Sequence, residues 1–194
     1  MVSTGDGEGP WLAAGYCGLA GFFLLELVLR APGGASAVSA SENDQGTTRL
    51  IIAAYAVATD LPLLARRWRF ARLPRRFAAA GLLVQGAGLA LRAWSMHELG
   101  SAYTRTLRTE GEAQPVVRSG PYRLVRHPGY LGSLVTWTGF TLTSRSLPTI
   151  ALVGGLLAGA YARRTAAEEQ LLRRELSGYA RYAEATSRLL PFVW

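Results

Sequence analysis

The residues of this chain best equipped for chemistry stand together in Gly120-Pro121-Tyr122-Arg123-Leu124-Val125-Arg126-His127-Pro128-Gly129-Tyr130. Gly-Pro makes a turn, and Pro128 suits the first position of a helix, where no amide hydrogen is needed. Arg126 and His127 then sit at the N-terminal mouth of that helix, where unpaired amides and the positive end of the dipole attract an anion. Tyr122 and Tyr130 flank them and offer faces to a flat ring. Taken singly, Tyr and Arg at a helix end also serve as interfacial anchors in a membrane. The His-Pro between two aromatic turn elements favours a site instead. A second group follows in Arg163-Arg164-Thr165-Ala166-Ala167-Glu168-Glu169. Arg164 and Glu168 are one helical turn apart and share a face, either as a surface ion pair worth ~0.2–0.5 kcal/mol or as two poles of a site.

Other chemistries lack their residues. Two His and one Cys without ligand spacing give no zinc site. There is no Gly-x-Gly-x-x-Gly after a strand, and Walker, Ser-His-Asp and kinase signatures are missing. His97 caps an apolar segment and reads as structural. Glu26 and Asp60 fall inside apolar segments, where ionisable groups are expensive. Each is expected near a helix end or paired with an Arg.

The elements that must position these groups are apolar. Of 194 residues, 49% are hydrophobic and only 18% charged, with a mean hydropathy of +0.15. Five segments stand out: Trp11–Leu29, Leu50–Ala65, Phe77–Met96, Tyr130–Thr143 and Leu147–Ala162. A bilayer core asks for ~20 apolar residues per helix, which the first and third meet and the others approach with their neighbours. Small residues recur, as in Gly15, Gly18, Gly21 and the Gly155–Gly159 pair, and such spacing lets helices approach closely in lipid. The expected fold is all-α: an integral membrane helical bundle of about five transmembrane helices with a C-terminal amphipathic helix. It forms a single membrane domain over 1–194, with three spans in 11–96 and a cofactor-binding and catalytic half with two spans in 97–194. The motifs Ala35-Ser36-Ala37 and Val38-Ser39-Ala40 look like signal-peptidase sites, but Asp6, Glu8 and Glu26 and the lack of a basic N-region argue against cleavage.

The net charge of +8 first suggests a nucleic-acid partner. All 21 basic residues are Arg, however, and they gather at the ends of the apolar segments, leaving no basic face on a soluble fold. No nucleic-acid partner is expected; membrane lipids are. Five spans place thirteen Arg (Arg30, Arg49, the 98–126 segment and the tail) on one side and seven on the other, with Arg92 inside a span. The positive-inside rule puts the first set in the cytoplasm. The Arg66–Arg76 cluster runs against this assignment unless it lies along the interface.

The run through Leu99-Gly100, Gly120-Pro121-Tyr122 and Arg126-His127-Pro128-Gly129-Tyr130, then Arg164-Thr165, Glu168-Glu169 and Leu190-Pro191-Phe192, resembles the isoprenylcysteine carboxyl methyltransferase family. The resemblance covers roughly the C-terminal half. It implies an integral membrane enzyme using S-adenosylmethionine, with no Rossmann domain and no metal, and a cofactor pocket between the last two spans and their connections. Carried over by motif, it implies cofactor contacts from Gln114, Pro115, Val116, Val117, Tyr122, His127, Pro128, Gly129, Tyr130 and Glu168. It assigns Arg164 to catalysis, facing the substrate. The family usually carries His where this chain has Gln114, which speaks against proton transfer there. The tail is also one residue short between Leu176 and Tyr179, where the family often has an acidic pair.

Methyl transfer from a sulfonium is an in-line displacement that needs orientation and removal of water. A carboxylate acceptor is already anionic and needs no general base, and an Arg fork gives it bidentate placement. The expected partner is a lipophilic small molecule or lipid, with oligomeric state left open. The all-Arg, Ala/Gly-rich composition fits a prokaryotic source and a site facing the cytoplasm across a bacterial membrane. That argues against prenylated proteins as acceptors and for a small lipophilic carboxylate, thiol or phenol, or a lipid amine. Two other readings stay open: an NADPH-dependent membrane reductase of the sterol-reductase type, and a non-catalytic lipid-binding membrane protein. The reductases tend to carry Asn where this chain has Gly129, and they are longer.

Overall fold

The protein is described by a computed structural model covering residues 8–28, 44–65, 71–100 and 116–191. Gln114, Pro115, Phe192, the candidate cleavage motifs and residues 66–70 of the Arg-rich cluster lie outside these residues. Six helices follow in order: α1 (Glu8–Val28), α2 (Thr47–Leu64), α3 (Arg76–Leu99), α4 (Pro128–Thr143), α5 (Leu147–Glu175) and α6 (Tyr179–Ala185). A single 3-10 turn at Gly120–Arg123 precedes α4. Among the described residues there is no strand, only isolated bridges at Arg72–Ser146 and Val125–Ser187. The five expected apolar segments lie almost entirely within α1 to α5. α1, α2 and α3 are each long and apolar enough to cross a membrane.

Lengths explain the two marginal segments. α4 has 16 residues and spans ~24 Å, short of a ~30 Å hydrocarbon core. α5 has 29 residues, or ~44 Å, so its polar half from Arg163 onward extends past the apolar layer. The N-terminus of α4 and the polar half of α5 meet at one end of the bundle.

Packing is densest between α3 and α4, which run antiparallel. Gly81 lies against Gly139 and Thr143, Gly88 against Gly132 and Thr136, and Gly132 against Arg92. A Cβ on Gly132 would sit 2.7 Å from the Arg92 amide nitrogen, so only glycine allows this approach. Lipid offers no hydrophobic drive for helix association, which makes such close backbone contact the main source of attraction. This alters the expectation from sequence. Gly15 and Gly18 do face neighbours, Thr143 and Gln85, but Gly21, Gly155 and Gly159 face open space. Gln85 adds a polar tie, its Nε2 donating to Gly15 O of α1 at 2.9 Å.

An apolar core of Leu19, Ala58, Trp137, Phe140, Val153 and Tyr161 joins α1, α2, α4 and α5. Arg92, inside α3, is buried and answered by Glu26 of α1, and its Nη1 donates to Gly129 O at 2.8 Å. Glu26 is thus paired with an Arg, as expected. Asp60 is exposed near the end of α2. At the bundle end away from α6, Leu73 N donates to Arg145 O at 2.8 Å and Arg145 Nε to Leu73 O at 2.8 Å. These contacts lock the described part of the Arg66–Arg76 cluster onto the α4–α5 turn.

Candidate active site

Pro128 opens α4 at its first position, and His127 immediately precedes it, as the motif requires. The expected open mouth is different. Arg126 N donates to Ser187 O at 2.8 Å and His127 N to Arg188 O at 3.1 Å. The two amides that lead into the helix are spent on the chain's own C-terminal segment. Pro128 is buried at the helix start and is not among the residues that line the cavity beside it. Its missing amide hydrogen makes it a helix starter.

The C-terminal segment closes the site because α5 ends in a sharp turn. Gly178, in the left-handed region at φ 82°, reverses the chain into α6. Tyr179 and Tyr182 point inward, and Tyr182 Oη donates to Tyr122 O at 2.7 Å. Burial pushes the Tyr182 phenol up to about 12 and moves Tyr122 and Tyr179 in the same direction. These hydroxyls stay protonated at physiological pH. The amphipathic tail helix is thus a cap on the bundle end.

Glu169 fastens that cap. Its carboxylate lies 2.7 Å from Arg126 Nε, 3.3 Å from His127 Nε2 and 3.0 Å from Arg188 Nη2. Burial opposes its ionisation, but the hydrogen bonds from His127, Arg126 and Arg188 win and hold it well below the usual carboxylate range. The His127 ring, 5% exposed, stacks on Tyr130 with centroids 5.6 Å apart. Sequence reasoning singled out Glu168 and passed over its neighbour; the Glu-Glu pair carried the signal, since successive helix residues face two different sides.

Next to this lies a second network. Tyr130 Oη donates to Glu168 Oε2 at 2.6 Å and accepts from Arg164 Nε at 3.1 Å. Arg164 Nη1 reaches Asp44 Oδ1 at 2.6 Å, Thr47 Oγ1 at 3.0 Å and Thr48 Oγ1 at 3.1 Å. With Nε and Nη1 engaged, a bidentate grip on an acceptor would have to displace one of these partners. Asp44, fully buried, was missed from sequence because it stands in an aperiodic polar stretch before α2. Burial opposes its ionisation too, but hydrogen bonds from Thr48 and the Arg164 charge hold it below the ordinary value.

Both networks border one cavity of about 470 Å³. Val116, Val117, Tyr122, His127, Gly129, Tyr130, Arg164 and Glu168 all line it, so eight of the residues expected from sequence converge. The cavity is wider than a pocket between the last two spans, since α1, α2 and α3 supply a wall with Phe22, Phe23, Ile51, Ile52 and Met96. Phe23, Leu27 and Ile52 line it and are 42%, 58% and 47% exposed. One side is polar and aromatic; the other is walled by apolar side chains of α1 and α2. The volume falls within the ~300–1,000 Å³ of small-molecule sites.

These residues fit S-adenosylmethionine. Tyrosine faces suit an adenine ring, and the Glu168 carboxylate, 26% exposed, suits an ammonium or a hydroxyl. Among the described residues no group of three or more His, Cys, Asp and Glu is arranged to hold a metal ion.

Residues 79–174 match the model of the isoprenylcysteine carboxyl methyltransferase (ICMT) family. Probable protein-S-isoprenylcysteine O-methyltransferases of Oryza sativa subsp. indica and subsp. japonica are each 28% identical over 167 residues, covering 82% of this chain and 87% of theirs. The fold is similar to that of the eukaryotic intramembrane Ras methyltransferase ICMT, with a TM-score of 0.62 at 18% identity over 88% of this chain. The chain spans 61% of the length of that solved protein.

Proposed function

Because the chain belongs to the isoprenylcysteine carboxyl methyltransferase family, we propose that it is an integral membrane enzyme that methylates the carboxylate of a lipophilic acceptor with S-adenosylmethionine. The observation that carries the reading is one cavity lined on its polar side by Arg164, Tyr130, Glu168 and His127 and on its apolar side by Phe22, Phe23, Ile51 and Ile52 of α1 and α2.

S-adenosylmethionine, when bound, supplies a methyl group on a sulfonium, activated for displacement. Tyr122, Tyr130, His127, Gly129 and the Val116–Val117 backbone hold it, and Glu168 takes its ammonium or a hydroxyl. Arg164, clamped by Asp44 and Tyr130, would align the acceptor carboxylate, which is already an anion and needs no base. The α6 cap and the tyrosines exclude water, which strengthens these electrostatic contacts. The acceptor's tail remains in the bilayer between α1 and α2, so the reaction needs no extraction of a lipid into water. The thirteen Arg of the site end put this end in the cytoplasm, and the acceptor class is an S-prenylated cysteine or a smaller lipophilic carboxylate.

Purified protein incubated with methyl-labelled S-adenosylmethionine and a lipid extract or an S-prenylated N-acyl cysteine tests this. The expected product releases labelled methanol in alkali, as a methyl ester does. Label stable to alkali overturns carboxylate methylation, and calorimetric binding of NADPH without S-adenosylhomocysteine overturns the methyltransferase reading. Arg164→Ala should lower turnover by about a hundredfold while S-adenosylhomocysteine still binds. Unchanged turnover and KM would remove Arg164 from the mechanism.

A further inference from the structure

The buried Arg164 guanidinium has two carboxylates at hand. Asp44, from the residues before α2, stands 2.6 Å from Nη1 and is itself fixed by Thr48 N at 3.1 Å, Thr48 Oγ1 at 2.6 Å and Thr47 Oγ1 at 3.1 Å. Glu168 lies one turn along α5, on the same face as Arg164, and its Oε2 takes the Tyr130 hydroxyl. A buried cation needs one counter-charge for neutrality, and whichever carboxylate supplies it loses much of its field toward the cavity. Asp44 is fully buried, whereas Glu168 lines the cavity. The division is therefore spatial: the enclosed acid neutralises the enclosed base, and the acid facing the cavity keeps its charge.

We propose that Asp44 is the dedicated counter-ion of Arg164, a positioning residue that keeps the Glu168 carboxylate available to the ammonium group at the amino-acid end of the bound cofactor. Without Asp44, Arg164 turns to Glu168 and neutralises it. The inference rests on the cofactor role of Glu168 proposed above. It also explains why a residue outside the C-terminal motifs is buried beside them: Asp44 decides which charge the cavity presents.

The test is calorimetry on the full chain in detergent with two ligands. S-adenosylhomocysteine carries the amino-acid end; 5′-methylthioadenosine is an adenosyl thioether without it. Asp44→Asn should weaken S-adenosylhomocysteine by about tenfold and leave 5′-methylthioadenosine within about twofold. Glu168→Gln should show the same selective loss, and the double variant should lose no more than Glu168→Gln alone. Equal losses for both ligands, no loss, or additive losses overturn the proposal. If Asp44→Asn does not fold, Thr48→Val, which removes one donor to Asp44, should give the same split by about threefold. There again, a fall in Tm without the split overturns it. Wild-type protein that binds neither ligand overturns the functional reading instead.

Discussion

Tyr130 carries two bonds that nothing else in the site duplicates, a donation to Glu168 and an acceptance from Arg164. Tyr130→Phe keeps the ring stacked on His127 and removes both bonds. Turnover should fall by on the order of tenfold, the worth of one buried hydrogen bond, with S-adenosylhomocysteine affinity changing less. Glu169 tests stability. Glu169→Gln leaves Arg126 buried beside a neutral partner and should cost about 3–5 kcal/mol, read from thermal unfolding in detergent. The same carboxylate sets a pH dependence. Its folded pKa lies below the ordinary 4.5, so its contribution is fully present above that value and lost as the pH falls below it. Wild-type Tm should therefore decline below about pH 4.5, and the Gln variant should decline less.

At the scale of elements, the seam between α3 and α4 holds the backbone that aims His127 and Tyr130. Gly132→Ala drives a methyl into the Arg92 backbone and should cost about 1–3 kcal/mol. Turnover should fall with it, because the first turn of α4 shifts. Gly155→Ala on α5 meets nothing within 4 Å and should leave both Tm and turnover unchanged. The spacing of small residues in the sequence pointed to Gly155 and not to Gly132. Composition shows that close approach is possible; only the neighbouring helix decides where it happens.

For the molecule as a whole, the contacts of Glu26 with Arg92, of Arg92 with Gly129 and of Asp44 with Arg164 put the end of α1, the start of α2, the end of α3 and the start of α4 on the side of the site, and the contact of Leu73 with Arg145 lies at the other. In sealed cells of a Cys17→Ser background, Pro74→Cys should react with a membrane-impermeant thiol reagent from outside, and Ser177→Cys should not. The reverse pattern would invert the proposed orientation. Arg92 is explained at this scale as well. In sequence it is a charge stranded in a span, and in the bundle Glu26 of another helix neutralises it.

The class of fold, the places of the five apolar helices and the C-terminal half of the site were all legible in the order of residues. Each of these is local: apolar length sets a span, His-Pro sets a helix start, and one turn of helix sets Arg164 beside Glu168. The remainder came from contacts between distant parts of the chain. Folding brought Asp44 onto Arg164 and Glu26 onto Arg92, spent the Arg126 and His127 amides on residues 187 and 188, and set side chains of α1 and α2 into the cavity wall. Pairings of this kind leave no periodic trace, because they depend on how helices rotate about their axes, and that rotation is set by glycine seams and buried charges acting together.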